Sequence, residues 1–114
     1  MSECLFCRIV SREIPARIVA EDRETLAFQD IRPQAPTHVL IIPKTHLPTV
    51  AHVTENTASV VVGCVLMANA IAKQAGVAED GYRLVINCGS QAGQTVWHLH
   101  VHLLAGRPMT WPPG

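Results

Sequence analysis

The sequence predicts an α+β domain with about five strands in a largely antiparallel sheet, one long helix and one short helix. Composition is the first reason: of 114 residues, 48% are hydrophobic and 16% are charged, which suits one buried core and excludes intrinsic disorder. The second reason is that short apolar segments, bounded by turn residues, surround a single long segment of helical period. No repeat or linker divides the chain, so we expect one domain over residues 1–114.

The first third of the chain predicts a short helix followed by a hairpin. Residues 5–10 suit a short helix, which Pro15 would end because a proline disfavours helical geometry in the residue before it. Residues 16–20 and 25–28 are typical of short strands, and the charged residues 21–24 between them suit a hairpin turn.

A loop and a buried strand are predicted next. Pro33 and Pro36 bracket the loop, and the strand runs from Val39 to Ile42 until Pro43 ends it. All four strand residues are apolar, so we expect both faces of the strand to be covered.

The long helix is predicted over residues 54–75. Thr54 is the expected N-cap and Gly76 the expected stop. The run of three valines at residues 60–62 favours a strand weakly, but the length of the segment favours a helix. Apolar residues recur three or four positions apart along it: Val61, Val65, Ala68, Ala72 and Ala75.

Two more strands are predicted at residues 82–87 and 97–104, joined by a polar, glycine-containing loop at residues 89–95. The later strand has the sequence His-Leu-His-Val-His-Leu-Leu from residue 98 to residue 104. On a strand, side chains alternate, so three histidines would share one face, roughly 6.6 Å apart at their Cα atoms. Leu99, Val101 and Leu103 would then enter the core.

Charge and cysteine content restrict the partners and the compartment. Nine Lys and Arg residues balance nine Asp and Glu residues, so nucleic acid is not an expected partner. No segment resembles a signal peptide or a membrane span, and we expect a cytoplasmic protein with reduced thiols. Cys64 and Cys88 lie in apolar segments and are predicted to be inert core thiols.

The three clustered histidines indicate a functional site, since chance clustering of half of the six histidines within five residues is improbable. One interpretation is metal binding, because neutral imidazole is a common metal ligand. The other is nucleophilic catalysis, in which imidazole forms an adduct with a phosphoryl group and splits one difficult displacement into two easier steps.

These residues resemble the histidine triad family, whose signature is His-φ-His-φ-His-φ-φ with φ apolar. Further segments agree with the family pattern in the same order, over nearly the whole chain. They are residues 28–31, 35–38, 41–44, 85–87, 93–97 and the C-terminal Trp-Pro-Pro-Gly at 111–114. The resemblance is closest to the Hint branch, histidine triad nucleotide-binding proteins that act as purine nucleoside phosphoramidases.

The resemblance implies a homodimer in which two five-stranded sheets join into one ten-stranded sheet. It also implies that His100 attacks the α-phosphorus of a purine nucleoside 5′-phosphoramidate and forms a nucleotidyl-histidine intermediate. His98, His102 and His38 would complete the catalytic set, with His38 supporting the triad.

By the same resemblance, the purine nucleotide would be bound by residues of several segments. His102, Asn87 and the loop residues Gly93, Gln94 and Thr95 would hold phosphate oxygens, and Asp30 would accept hydrogen bonds from the ribose. Trp111 would reach the neighbouring active site and select the leaving group. The apolar base pocket would consist of Phe6, Ile9, Phe28 and Ile31, which would be ordinary core residues in another fold.

Cys4 and Cys7 form a Cys-x-x-Cys pair, which alone is half of a zinc site. Prokaryotic relatives with such a pair bind structural zinc with two histidines, which correspond here to His46 and His98. Two thiolates and two imidazoles would close a tetrahedral site. We therefore expect structural zinc at these four residues and no cofactor in catalysis.

Two other functions stay open. A dinucleoside polyphosphate hydrolase belongs to a sister branch of the same family, but that branch usually continues well past the triad. A zinc-stabilised nucleotide-binding scaffold with incidental catalysis is the other alternative, and the intact triad argues against it.

Overall fold

The computed structural model describes residues 3–114. Its elements are helix α1 (Leu5–Val10), strands β1 (Ile18–Glu21), β2 (Thr25–Gln29) and β3 (Thr37–Pro43), helix α2 (Ala58–Gln74), and strands β4 (Tyr82–Val85) and β5 (Val101–Ala105). Single 3₁₀ turns lie at Val50–His52 and Ser90–Ala92. The predicted α+β class, with five strands, one long and one short helix, is confirmed.

The strands form one antiparallel sheet in the order β1-β2-β3-β5-β4. In the β3–β5 pair, Leu40 lies opposite His102 and His38 lies opposite Leu104. His38 and His102 are therefore diagonal neighbours on one face of the sheet, close enough for their side chains to interact. The register of the β3–β5 pair therefore places His38 next to His102.

Apolar clusters cover both faces of the sheet, as the apolar β3 sequence predicted. On one face α2 packs against residues such as Val39, Ile41 and Val101. On the other face the short helix α1 packs Phe6 and Ile9 against a cluster that also contains Leu26, Phe28, Leu40 and Ile42. Because β5 alternates, its histidine side faces α1, whereas its apolar side faces α2.

The long helix starts later than the sequence predicted. Helix α2 begins at Ala58 with Thr57 as N-cap, so the prediction of Thr54 as N-cap is wrong. The Thr57 hydroxyl accepts a hydrogen bond from the Thr54 main-chain N–H at 2.9 Å, which holds residues 54–57 in a separate turn. At the other end, Gly76 adopts a φ of 74° immediately after the C-cap Ala75, as expected of a helix stop.

The last two strands also differ from their predicted bounds. Strand β5 begins at Val101 rather than Trp97, because the Leu99 N–H donates to Leu47 O at 2.7 Å, outside the ladder with β3. Strand β4 ends at Val85 rather than Asn87. Cys64 is buried, and desolvation raises the pKa of its thiol to about 12. Cys88 is exposed, so the prediction of a core thiol there is wrong.

Among the residues that the structure describes, no helix is both long and apolar enough to cross a membrane.

Candidate active site and metal cluster

The histidine segment alternates as predicted, with Leu99, Val101 and Leu103 in the core. Two of the three histidines are buried as well: His98 is 0% exposed and His100 is 6% exposed. The covering group is Phe6 of α1, whose ring meets the ring of His100 edge to face at a centroid distance of 5.1 Å. On an uncovered strand these histidines would face solvent. Here helix α1 covers His98 and His100.

His100 has a defined proton position. Its Nδ1 lies 2.7 Å from the main-chain carbonyl of His98, and a carbonyl only accepts, so Nδ1 carries the proton. Desolvation lowers the pKa of His100, although the His98 carbonyl and the Asp30 charge oppose the shift. The ring is neutral near pH 7, and the lone pair lies on Nε2, the nitrogen that a nucleophile needs.

His102 is tied to His38 across the sheet. The His38 Nε2 and His102 Nδ1 atoms are 3.0 Å apart. The Gln34 main-chain N–H donates to His38 Nδ1 at 3.0 Å, so the proton of neutral His38 is on Nε2 and is donated to His102. His102 consequently carries its own proton on Nε2. Desolvation, with smaller effects of His100 and His38, lowers the pKa of His102 to about 4.

Asp30 completes this group, with its Oδ2 atom 3.3 Å from His38 Nε2. Asp30, His38 and His102 offer three atoms within 4.8 Å of one another, a spacing that a metal ion could bridge. The tautomers argue against a metal here. His38 would have to give up its Nε2 proton while Nδ1 already accepts from Gln34, which would leave an imidazolate. Instead, the two rings are hydrogen-bonded to each other, and the carboxylate lies beside His38.

A pocket of about 940 Å³ opens beside His100 and His102. This volume is at the upper end of the range typical of small-molecule sites. Besides His102, six of the residues predicted to bind nucleotide line it: Phe6, Ile9, Phe28, Asp30, Ile31 and Thr95. Ile31 is 93% exposed and lies at the rim, whereas Phe6 and Phe28 are buried and meet edge to face at 5.3 Å.

Four other predicted binding residues do not line this pocket: Asn87, Gly93, Gln94 and Trp111. Gln94 is buried, and its amide is already hydrogen-bonded: Oε1 accepts from the Gly89 N–H, and Nε2 donates to Pro48 O and Val96 O. Trp111 is 82% exposed on the C-terminal tail, just after Thr110, whose carbonyl accepts from Arg83. Among the described residues, no hydrogen bond joins either side chain to a histidine.

The structure adds groups that the sequence reasoning missed. Arg17 and Arg32 line the pocket and bring positive charge to its edge. The Gln34 main chain sets the His38 tautomer, and Arg107 donates to the Gln34 carbonyl through Nε and Nη2 at 3.1 and 3.0 Å. The contacts of main-chain groups such as those of Gln34 could not be predicted from residue types, because every residue has these groups. For Arg32, the sequence indicated a place near the site only through its position two residues after Asp30.

The four predicted zinc ligands come together. His98 Nδ1 lies 3.4 Å from Cys4 Sγ, 3.6 Å from Cys7 Sγ and 3.2 Å from His46 Nδ1. Tetrahedral zinc with ordinary bond lengths separates sulfur from nitrogen by about 3.5 Å and two nitrogens by about 3.3 Å, so the spacing fits. His98 Nε2 donates to Pro43 O at 2.8 Å, which leaves the Nδ1 lone pair directed at the cluster. The four donor atoms suit a metal ion, and so does the His98 tautomer that leaves Nδ1 unprotonated.

Comparisons with known proteins agree with this architecture. A model of the HIT domain family matches residues 11–109. The chain is 49% identical over 107 residues to the purine nucleoside phosphoramidase of Escherichia coli (strain K12), covering 94% of this chain and 90% of that protein. It is 50% identical over 115 residues to a 14 kDa zinc-binding protein of Zea mays, covering 99% of this chain and 89% of that protein.

Solved structures agree as well. A HIT family hydrolase from Legionella pneumophila Philadelphia 1 superposes with a TM-score of 0.96 at 53% identity, covering 98% of this chain and all of that one. A HIT family hydrolase from Clostridium thermocellum superposes with a TM-score of 0.94 at 48% identity, covering 96% of each chain.

Proposed function

The chain belongs to the HIT domain family, and on this premise we propose that it is a purine nucleoside phosphoramidase. Its substrate would be the 5′-phosphoramidate of adenosine or guanosine. The observation that carries the proposal is the His100 imidazole, which is neutral, has its lone pair on Nε2, and lines a nucleotide-sized pocket. The identity to the E. coli enzyme of that name supports the same conclusion.

The reaction proceeds in two displacements. His100 Nε2 attacks the α-phosphorus and a phosphorus–nitrogen bond to the ring forms. The bond to the leaving nitrogen breaks, and that nitrogen takes up a proton from solvent and departs as the amine, a proton that the attacking water gives back in the second step. The ring becomes positively charged in this nucleotidyl-histidine, and the His98 carbonyl, 2.7 Å from Nδ1, stabilises that charge. Water then attacks phosphorus, the nucleoside monophosphate leaves, and His100 returns to its neutral form.

The remaining groups hold the substrate. His102 presents an Nε2–H to the phosphate oxygens, and Thr95 adds a hydroxyl at the pocket edge. Asp30 accepts from the ribose hydroxyls, and the base lies among Phe6, Ile9, Phe28 and Ile31. Asn87, Gly93 and Gln94 lie outside the pocket wall and would contribute only if the loop moved toward bound phosphate.

Cys4, Cys7, His46 and His98 would hold a structural zinc ion. The metal would supply a crosslink between α1 and the start of the histidine segment, with no open position for chemistry. Because Cys4 caps α1 and Phe6 follows it, this crosslink would hold the wall of the base pocket. A reducing compartment such as the cytoplasm would keep both thiolates available to the metal.

A homodimer through β4 is the proposed assembly. Strand β4 is an edge strand with β5 as its single neighbour, so a second sheet can continue there. Helix α2 lies beside it, since the Tyr82 hydroxyl donates to Asn69 at 2.6 Å. Val62 and Leu66 of α2 are 56% and 62% exposed, which gives the proposed interface an apolar part. In such a dimer Trp111 would serve the partner's pocket.

A turnover comparison tests the function. Wild type should hydrolyse adenosine 5′-phosphoramidate faster than diadenosine polyphosphates. His100→Ala should lower turnover by several orders of magnitude while adenosine monophosphate still binds, because the pocket wall stays and only the attacking group is lost. His52→Ala, at an exposed histidine outside the pocket, is the matched control. Near-wild-type turnover of His100→Ala, or a preference for the diadenosine substrates, would refute the proposal.

A further inference from the structure

Arg107 lies two residues after the end of β5 and contacts the loop between β2 and β3. Its Nε and Nη2 atoms donate to the Gln34 carbonyl at 3.1 and 3.0 Å, and Nη1 donates to Pro108 O at 3.0 Å. We propose that Arg107 is a positioning residue that, through Gln34 and His38, fixes which nitrogen of His102 carries the proton facing the phosphate. The kinetic consequence rests on the proposed function, whereas the proton position does not.

Within residues 3–114, the other hydrogen bonds of the loop from Asp30 to Pro36 stay inside the loop or reach His38 at the start of β3. Its own bonds are local: Asp30 Oδ1 accepts from the Arg32 N–H at 2.8 Å, and Gln34 Nε2 donates to Arg32 O at 3.0 Å. Local bonds shape a loop without fixing its distance from β5. Arg107 supplies that link, with a planar donor pair that meets one carbonyl from a single direction.

A second observation places the end of β5 against the same loop. Gly106 has a φ of 93°, and a Cβ atom built on it would lie 2.8 Å from Cβ of Pro36. The two segments therefore approach so closely at this point that only glycine fits. Residues 106 and 107 together set the position of the loop relative to the histidine segment.

The loop position decides the tautomers. With Gln34 in place, its N–H occupies His38 Nδ1, His38 Nε2–H donates to His102 Nδ1, and His102 keeps its proton on Nε2. His38 has little freedom to respond otherwise, because its side chain is 4% exposed and its ring lies 5.2 Å from that of His102.

Without the Gln34 N–H, the opposite arrangement becomes available. His38 could carry its proton on Nδ1 and accept at Nε2 from an Nδ1–H of His102. The His102 Nε2 lone pair would then face the phosphate oxygens. A hydrogen bond to these oxygens would be replaced by repulsion between the lone pair and the negative charge that develops on them during the reaction. The Asp30 carboxylate, 3.3 Å from His38 Nε2, favours a proton on that nitrogen. Without the Gln34 N–H, however, a proton on Nε2 would leave His38 Nδ1 with no hydrogen-bond donor.

The experiment compares Arg107→Met and Arg107→Lys with wild type by ¹⁵N NMR of the imidazole nitrogens, which distinguishes the two tautomers. Wild type should show His38 and His102 protonated on Nε2. Arg107→Met should show a mixture, with kcat for adenosine 5′-phosphoramidate lowered by about ten- to a hundredfold and a smaller change in KM. Lysine supplies one donor to the carbonyl, so Arg107→Lys should recover part of both effects.

Arg23→Met is the matched control, since it removes an equal charge from the β1–β2 hairpin, where the Arg23 side chain is 96% exposed. It should leave both tautomers and kcat unchanged. Unchanged His38 and His102 tautomers in Arg107→Met would overturn the inference whatever the activity. A tautomer change in a protein that hydrolyses no phosphoramidate would support the positioning role and overturn the proposed function alone. If Arg107→Met does not fold, the tautomers of Arg107→Lys decide.

Discussion

Replacing His102 by glutamine should remove a pH dependence of stability that this histidine imposes. Folding lowers the pKa of His102 from 6.5 to about 4, mainly because burial disfavours the charged ring. Below pH 6.5 the unfolded chain therefore takes up a proton that the folded chain excludes, so wild type loses stability as the pH falls to 4 and no further below it. Each pKa unit corresponds to about 1.4 kcal/mol, so the full shift corresponds to about 3 kcal/mol. Partial exposure of the ring reduces the expected loss to about 2 kcal/mol.

Urea unfolding at a series of pH values from 7.5 to 4 measures this effect as the difference between wild type and His102→Gln. The difference removes contributions that both proteins share, including those of His38, His98 and His100, whose pKa values are also lowered. His52→Gln, the same substitution at an exposed position, is the matched control for replacing a histidine by glutamine. A difference between wild type and His102→Gln that stays constant from pH 7 to pH 4.5 would refute the argument that His102 is held neutral by its surroundings.

Three other predictions concern the metal, the assembly and the C-terminal tail. Protein purified without chelator should contain about one zinc ion per chain, and chelation should lower the thermal unfolding temperature, because metal binding contributes to folding; less than a tenth of an ion per chain would contradict this. Analytical ultracentrifugation at micromolar concentration should find a dimer, and a monomer would exclude the β4 interface. Trp111→Ala should alter kcat/KM for bulky phosphoramidates more than for the unsubstituted one with the dimer intact, whereas equal effects on both substrates would count against a tail that serves the partner's pocket.

The sequence predicted those parts of the site for which residue type and strand or helix periodicity lead to the same conclusion. Alternation on a strand placed His98, His100 and His102 apart from the core leucines, and the apolar β3 predicted a sheet covered on both faces. These two inferences hold because residue type and period alone decide them. The four metal-ligating atoms that meet within 4.8 Å were predicted differently, because the Cys-x-x-Cys pair supplies only half of the set and the family resemblance supplied His46 and His98.

Features set by main-chain contacts escaped the sequence. Helix α2 begins at Ala58 because Thr57 bonds back to Thr54, although Thr54 is an equally good capping residue by type. The histidine segment leaves the ladder before Val101 because Leu99 pairs with Leu47, a contact between distant parts of the chain. Arg107 looked like an ordinary charged residue after a strand. Its partner is a carbonyl, which every residue has.

The three triad histidines show how one residue type takes three roles on one segment. In each ring a neighbouring group fixes which nitrogen carries the proton. Pro43 O accepts a hydrogen bond from Nε2–H of His98, and His98 O accepts one from Nδ1–H of His100. His38 Nε2–H donates to Nδ1 of His102. The other nitrogen is thereby a lone pair facing the cysteines in His98, a lone pair for attack in His100, and a donor in His102. Exchanging the roles would require moving the neighbours, since the rings themselves are chemically identical. The proposed catalytic role of His100 thus rests on a carbonyl at 2.7 Å as much as on its central place in the sequence.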